Sequence, residues 1–138
     1  MKRSSTKVVG ALGEKTALKY LQSKGYSFVE RNFLRKCGEI DLIVKKDKIL
    51  HFVEVKTVSR ENLENVTREN IRMDCFRPED NVHRWKLERM ARVIQVYLVE
   101  KNVSEEQEWR FDVITVLLDI KNKVAKVEML EDIILQSA

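Results

Sequence analysis

The stretch from residue 38 to residue 57 most constrains what this chain can fold into, because it predicts a β-hairpin with charges inside its apolar strands. Two runs rich in β-branched and aromatic residues flank a polar break at 46–48, which is a typical hairpin pattern. Asp41 interrupts the first run, and Glu54 and Lys56 interrupt the second. Charges in such surroundings are costly unless they have partners or a function. The hairpin is therefore the first candidate for a site.

The geometry of a strand decides which of these charges lie together. Side chains alternate between the two faces of a strand, so Glu54 and Lys56, two residues apart, point to the same side. A two-residue turn at 47–48 sets Asp41 directly opposite Glu54, whereas a three-residue turn sets it opposite Val53. The predicted cluster of charges therefore depends on the register of the hairpin.

Composition indicates one ordinary domain with a core of its own. The chain has 138 residues, of which 43% are apolar, and only one proline and four glycines, which excludes disordered and low-complexity classes. Charged residues reach 35% against about 25% in a typical soluble domain. The formal net charge of +4 and the pI of about 9.1 are a modest basic excess, compatible with a polyanionic partner.

The sequence also indicates the compartment. The two cysteines, Cys37 and Cys75, lie far apart, and no apolar signal region follows the first residues. No apolar run approaches the roughly 20 residues needed to span a bilayer. We therefore expect a cytoplasmic protein that does not associate with membranes.

The periodicity of apolar residues predicts two helices and five strands. These elements are, in chain order, a helix over 8–23 that stops at Gly25, a strand over 26–34, the two hairpin strands, a helix from residue 80 or 81 to about 101, and strands over 109–118 and 124–129. The order α-β-β-β-α-β-β predicts a single α/β (α+β) domain over residues 1–138, with helices packed on a mixed β-sheet.

Three further segments lack a strong periodic pattern. Residues 1–7 are polar and basic, and we expect them to be flexible. Residues 58–80 are polar and end at the only proline, which predicts a long, mobile loop of a length that is usually functional or disordered. For the tail over 131–138 we expect one short helical turn.

Each predicted helix carries one charged residue on its apolar stripe. The stripes consist of Ala11, Leu12, Ala17, Leu18 and Leu21 in the first helix and of Val82, Trp85, Met90, Val93, Ile94, Tyr97 and Leu98 in the second. Glu14 lies three residues before Ala17, and Lys86 lies four residues before Met90. The alternative for Glu14 is stabilisation by the helix dipole alone, and for Lys86 it is a lysine whose stem packs while its ammonium reaches water.

Other classes of site find little support in the sequence. Zinc ligands would have to come from Cys37, His51, Cys75 and His83, which lack the close, regular spacing of zinc sites. There is no nucleophile elbow, Walker loop or Gly-x-Gly-x-x-Gly motif. The carboxylates remain as the candidate chemical groups.

Asp41, Glu54 and Lys56 are sufficient for metal-assisted hydrolysis of a phosphodiester. Carboxylates are hard oxygen ligands suited to Mg²⁺ or Mn²⁺, and Mg²⁺ takes one or two of them together with waters and phosphate oxygens. A lysine beside such a metal can hold a water or stabilise charge on a phosphorus-bound oxygen. The alternative is a buried ion triad that only neutralises itself.

Several motifs resemble the YraN family of small bacterial proteins. They are Gly10-x-x-Gly-Glu14-x-x-Ala17, Gly25-Tyr26, Arg31-Asn32, Gly38-Glu-Ile-Asp-Leu-Ile43, Phe52-Val-Glu-Val-Lys56 and Arg110-Phe-Asp-Val113. The pattern Asp41…Glu54-x-Lys56 and the order of the elements also resemble the restriction-endonuclease-like nuclease superfamily. The same layout is similar to archaeal Holliday-junction resolvases.

This resemblance implies a restriction-endonuclease-like core and a Mg²⁺- or Mn²⁺-dependent endonuclease that acts on DNA, with branched or repair intermediates as expected substrates. It implies that Asp41 and Glu54 bind the metal and that Lys56 positions the attacking water. Glu14 would approach the site from the first helix. Lys86 would contact the scissile phosphate or Glu54.

The contacts with nucleic acid are less constrained. Arg31, Arg35 and Lys86 are the candidates, and the alternative for the two arginines is a solvated strand edge. Residues 58–80 depart from the family's shorter, glycine-containing link, so no DNA contact can be carried over there. Two other functions stay open, a catalytically weak or inactive nucleic-acid-binding or adaptor module and a purely structural partner protein. A homodimer is expected only by analogy, if two scissions are needed.

Overall fold

The structure is a computed structural model that describes residues 2–59 and 81–135, with only the backbone described for 2–7 and 81–84. Its elements are α1 (Lys2–Ser23), β1 (Ser27–Arg35), β2 (Gly38–Lys46), β3 (Ile49–Ser59), α2 (Asn81–Glu100), β4 (Trp109–Asp119) and β5 (Val124–Leu130). This order confirms the predicted α-β-β-β-α-β-β arrangement. Within the described ranges, neither helix is long and apolar enough to cross a membrane.

The five strands form one mixed sheet in the order β1-β2-β3-β4-β5. All neighbouring pairs are antiparallel except β3 and β4, which are parallel and therefore need a crossover. Helix α2 supplies that crossover. The two helices cover opposite faces, because Ala17 and Leu21 of α1 pack in one core cluster and Met90 and Val93 of α2 pack in the other. The predicted α+β fold is confirmed.

The hairpin between β2 and β3 has a two-residue turn at 47–48, the first of the two turn lengths considered from the sequence. Asp47 and Lys48 have φ angles of 51° and 69°, and positive φ at both central positions is typical of a type I′ turn. Lys46 pairs with Ile49, and the ladder continues in the same register to Leu42 and Val53. The ladder ends at that pair, so the expected pairing of Asp41 with Glu54 stays a prediction.

Glycine ends the first helix where the sequence predicted. Gly25 has a φ of 95°, which is accessible to glycine at little cost. The amide of Tyr26 donates to the carbonyl of Leu21 at 3.0 Å and that of Gly25 donates to Gln22 at 3.1 Å, which is the Schellman pattern. The chain therefore reverses directly into β1.

Three predicted boundaries are wrong. Helix α1 begins at Lys2 and not at residue 8, while the expected flexibility of residues 1–7 stays a prediction. Strand β3 continues through Ser59, because Val58 is buried and pairs with Leu117 of β4. The rest of the predicted loop, 60–80, lies outside the described residues. In the tail, residues 131–135 form no helical turn. Instead, the amide of Ile133 donates to the carbonyl of Phe111 in β4 at 2.7 Å.

The predicted burial of the apolar stripes is confirmed for the residues that pack on the sheet and is wrong for three others. Ala17, Leu21, Met90, Val93, Ile94 and Tyr97 are buried. In α1 the buried positions recur every four residues from Gly13, so Ala11 and Leu12 lie to either side of the stripe and are exposed. Trp85 of α2 is also exposed, although the pattern predicted that it is buried.

Gly13 allows α1 to approach the end of β3 very closely. A Cβ atom at this position would overlap Oγ1 of Thr57 and lie 2.7 Å from its Cγ2 and 2.8 Å from its Cβ. Real Cβ atoms essentially never come that close to a neighbour. The contact fixes Glu14, the next residue of α1, beside the strand that carries Glu54 and Lys56.

We expect Gly13→Ala to be less stable than Gly10→Ala by about 1–3 kcal/mol, the usual cost of overpacking. Both changes gain the same helix propensity, but a Cβ at Gly10 meets no atom within 4 Å. Thr57→Ala should recover part of the loss, because it removes Oγ1 and Cγ2 and keeps Cβ. Urea unfolding of the single and double variants measures these differences. Equal stability of the two alanine variants would contradict the close contact.

Candidate functional site

The site lies where the hairpin strands β2 and β3 run beside the two helices. Asp41 is held there by the backbone, because the amide of Val55 donates to its Oδ2 at 2.8 Å. Regular alternation in β2 also breaks at this residue, since Ile40 packs in the cluster on the α2 side and Leu42 in the one on the α1 side. The local irregularity and the hydrogen bond fix one carboxylate oxygen of Asp41.

Asp41 titrates far above its usual range because of its surroundings. The pKa of Asp41 is raised from 3.8 to about 7, chiefly by burial and also by the nearby carboxylates of Glu14, Glu54 and Glu39, while the Val55 hydrogen bond acts in the opposite direction. These three glutamates therefore lie close enough to Asp41 to affect its charge. A cation placed among them would favour the ionised form of Asp41.

Glu54 is paired with a lysine from the second helix. Nζ of Lys86 lies 2.9 Å from Oε2 of Glu54, whose side chain is 17% exposed, while the lysine is 56% exposed. Of the two expected contacts of Lys86, the structure therefore contains the one with Glu54. Lys86 contributes both to the carboxylate cluster and to the protein surface.

Lys56 lies two residues beyond Glu54 on the same strand and is half-buried. The register with β4 is unbroken from Glu54 to Lys56, which pairs with Thr115. Because side chains alternate along a regular strand, Lys56 points to the same face of the sheet as Glu54. Within residues 2–59 and 81–135 it forms no ion pair. No described carboxylate therefore forms an ion pair with its ammonium. This suits its predicted role, in which the ammonium contacts a water or a phosphate oxygen.

Glu14 reaches the site through an asparagine of β1. Nδ2 of Asn32 lies 3.4 Å from Oε1 of Glu14 and 3.3 Å from Oε2 of Glu39, so one amide joins a carboxylate of α1 to one of β2. Asn32 has a φ of 52°, a conformation that asparagine adopts more readily than most residues. The sequence analysis missed Asn32 and Glu39 as members of this cluster, although both lie in its motifs.

The two arginines predicted to contact nucleic acid make other interactions in the structure. Arg35 makes a bidentate ion pair with Glu100, with N–O distances of 2.6 and 2.7 Å, which raises the pKa of the guanidinium. Its guanidinium also lies 4.0 Å from the ring centroid of Phe33. Arg31 lies over the ring of Phe28 at 5.4 Å. Their role as nucleic-acid contacts stays a prediction.

The structure also contains a buried histidine–aspartate pair that was not predicted from the sequence. Nδ1 of His51 lies 2.6 Å from Oδ2 of Asp112, which is fully buried. The other oxygen of Asp112 accepts from the amide of Asp132 at 2.8 Å, and the Tyr26 ring packs edge-on to the imidazole at 5.0 Å. Because both oxygens of the aspartate are satisfied by the fold, we assign this pair to anchoring the tail on β4.

The donor set suits a hard divalent cation. Across the part of the chain that the structure describes, no three His, Cys, Asp or Glu side chains are already arranged as metal ligands. Magnesium needs only one or two protein carboxylates, because it keeps several waters and takes phosphate oxygens from a substrate. Asp41, a half-buried carboxyl with a raised pKa, and Glu54 together meet that requirement.

Comparison with known proteins assigns the family. The sequence model of the uncharacterised protein family UPF0102 matches residues 13–116. A UPF0102 protein of Caldanaerobacter subterraneus is 38% identical over 119 residues, which cover 86% of this chain and 87% of the relative. UPF0102 proteins of Caldicellulosiruptor bescii and Dictyoglomus turgidum are 32% and 35% identical over 126 residues, covering 91% of this chain and 96% of each relative. The chain therefore belongs to the UPF0102 family, and the resemblance to YraN proteins is confirmed.

Proposed function

We propose that this protein is a metal-dependent endonuclease that hydrolyses DNA phosphodiester bonds, with branched or repair intermediates as its leading substrates. The observation that carries the proposal is the cluster around Asp41, in which burial and three further carboxylates raise the pKa of the aspartate to about 7. Such clusters of perturbed carboxylates are costly to a fold and are common at functional sites. The core resembles that of restriction-endonuclease-like nucleases in the order of its elements and in the Asp…Glu-x-Lys pattern.

Asp41 and Glu54 would hold Mg²⁺ or Mn²⁺. When bound, the ion supplies a Lewis acid for the phosphate and a more acidic water. The hydrogen bond from Val55 leaves Oδ1 of Asp41 available as a ligand. Glu14 and Glu39, joined through Asn32, would add negative charge around the ion without needing to touch it.

The two lysines have different roles in this proposal. Lys56 would hold a water or stabilise the charge that develops on a phosphorus-bound oxygen, since it forms no ion pair within the described residues. Lys86 would orient Glu54 through the 2.9 Å ion pair. Because more than half of its side chain is exposed, it can also meet the phosphate of an incoming strand.

Cleavage assays test the proposal directly. The purified protein should nick labelled four-way, flap, single-stranded or linear DNA when Mg²⁺ or Mn²⁺ is present and leave the same substrates intact in EDTA. A panel of matched sequences, with an RNA copy of each strand, identifies the preferred nucleic acid. Protein that is folded but inert on every substrate with both metals would contradict an enzymatic function.

A binding or adaptor module is the second candidate. It is favoured by the formal net charge of +4, which is compatible with a polyanionic partner without any catalysis. Such a module would bind nucleic acid with an affinity that falls steeply with salt, because binding releases counterions. Binding that survives Glu54→Gln, together with no cleavage by the unchanged protein, would favour this module over the nuclease.

A further inference from the structure

An exposed tryptophan lies beside the carboxylate cluster. Trp85 is 53% exposed, although its position on the helix pattern predicted a buried side chain. It lines a groove of about 250 Å³ together with Glu54, Lys86 and Arg89. An exposed large aromatic on a groove that also contains a proposed metal ligand is a candidate binding surface.

The tryptophan ring is supported from one side. The guanidinium of Arg89 lies 4.7 Å from the ring centroid of Trp85, four residues earlier on the same helix. Nε of Arg89 donates to the carbonyl of Cys37 at 3.1 Å, which ties the arginine to the turn between β1 and β2. The arginine is therefore fixed, and it holds the ring at the groove.

The size and the charge of the groove indicate what it can bind. Its volume of about 250 Å³ is below the range of about 300–1,000 Å³ for pockets that enclose drug-sized ligands, so it suits one planar group. Lys86 and Arg89 bring two cations to its lining, and Glu39 and Glu54 bring two carboxylates, so an anionic group is expected at the exposed end of Lys86 and not across the whole groove. A nucleotide combines a planar base with an anionic phosphate.

We propose that Trp85, supported by Arg89, stacks an unpaired nucleobase of the strand whose phosphate lies at Glu54 and Lys86. This inference rests on the proposed function and specifies its substrate class. Every base offers an aromatic face, so stacking tolerates any sequence, but a base inside a duplex must first be unstacked at a cost of a few kcal/mol. The protein should therefore prefer DNA with unpaired nucleotides next to the bond that it cuts.

Binding measurements in EDTA test the preference without cleavage. Fluorescence anisotropy would compare a duplex that carries a single-stranded flap with the fully paired duplex of the same sequence. We expect Trp85→Ala to weaken binding of the flap substrate by about 5- to 150-fold, the range for loss of one stacked base, and to leave the paired duplex almost unchanged. Trp85→Phe should keep most of the preference, because phenylalanine also stacks.

Phe28 provides a matched control. It is 41% exposed and lies under the guanidinium of Arg31 at 5.4 Å, so it is a similar pair of an aromatic ring and an arginine. It pairs with Val44, which packs on the α1 side of the sheet, whereas Lys86 and Trp85 belong to α2. Phe28→Ala should therefore leave the flap preference unchanged.

Tryptophan emission reports the stacking itself. The chain has two tryptophans, and the other, Trp109, packs edge-on to Phe52 at 5.6 Å. A single-stranded oligonucleotide should quench the emission of the unchanged protein and not that of Trp85→Phe, which retains only Trp109. Quenching of similar size in both proteins would contradict stacking on Trp85.

The outcomes separate this inference from the proposed function. If the protein cleaves DNA but Trp85→Ala keeps the full flap preference, the stacking role is overturned and the nuclease stands. If binding and quenching depend on Trp85 but no substrate is ever cleaved, the nuclease is overturned and the stacking role stands. An unchanged protein that binds the flap and the paired duplex equally also overturns the stacking role.

Discussion

Replacing Glu54 by glutamine should abolish metal-dependent DNA cleavage and leave the fold intact. Glutamine keeps the shape of the side chain but removes the negative charge that a divalent cation requires. Loss of a group that only supports a metal ligand already costs about 10- to 100-fold in affinity or activity, so loss of a direct ligand should exceed about 100-fold. The ion pair with Lys86 is also lost, but the lysine is 56% exposed, so we expect little change in stability.

Cleavage and binding should respond to Glu54→Gln in opposite ways. Removing a negative charge beside the site reduces repulsion of the phosphate backbone, so DNA binding in EDTA should be kept or strengthened. Glu30→Gln is the matched control, because Oε1 of Glu30 lies 3.4 Å from Nζ of Lys101, the residue after the end of α2, in another Glu–Lys pair between a strand and that part of the chain. Rates from a time course with Mg²⁺, compared for the three proteins, decide the role of Glu54. A Glu54→Gln protein that cuts at the unchanged rate would contradict it.

Local patterns predicted the fold because the decisive features are local. The two-residue turn needs positive φ angles at Asp47 and Lys48, and that turn sets the register that continues to the pair of Leu42 and Val53. The stop at Gly25 likewise depends only on neighbours in the sequence. The order of the elements followed from periodicity, but the start of α1 and the end of β3 did not. The end of β3 depends on a distant part of the chain, because Val58 is buried through its partner in β4.

The composition of the site was harder to predict because its contacts join residues far apart in the chain. Asn32 joins Glu14 to Glu39 across α1, β1 and β2, and nothing in the spacing of these residues indicates that contact. The ion pair of Arg35 with Glu100 spans 65 positions. The exposure of Trp85 on a regular apolar pattern depends on where α2 leaves the sheet. Such features follow from tertiary packing, and periodicity alone does not contain them.

Asp41→Asn should stabilise the metal-free protein at pH 8 and make no such difference near pH 4. The folded-state pKa of Asp41, about 7, lies above the ordinary 3.8, so between these values the folded chain binds more protons than the unfolded one. Stability is then lost as the pH rises from about 4 to 7 and stays low above pH 7. Three pKa units correspond to about 4 kcal/mol as an upper bound, which solvent at the half-buried carboxyl reduces.

Asparagine removes this cost because it stays neutral, while its side-chain oxygen still accepts the hydrogen bond from Val55. Urea unfolding at pH 4.5, 6 and 8 in EDTA measures the effect. The stability of the unchanged protein should fall over this range relative to that of Asp41→Asn. An Asp41→Asn protein that is the less stable one at pH 8 would contradict a carboxylate whose ionisation opposes folding.

Magnesium should offset that difference in stability. A ligand that binds only the folded state adds about 2.7 kcal/mol at 100 times its dissociation constant, so Mg²⁺ should stabilise the unchanged protein at pH 8. Asp41→Asn lacks the charge that binds the ion, and we expect it to gain almost nothing. Asp47→Asn, in the turn of the same hairpin, is the control and should gain as much as the unchanged protein. Equal stabilisation of Asp41→Asn and the unchanged protein would show that the ion binds elsewhere. If Asp41→Asn alone is not stabilised by Mg²⁺, metal binding explains why the chain keeps a carboxyl group that destabilises it when no metal is bound.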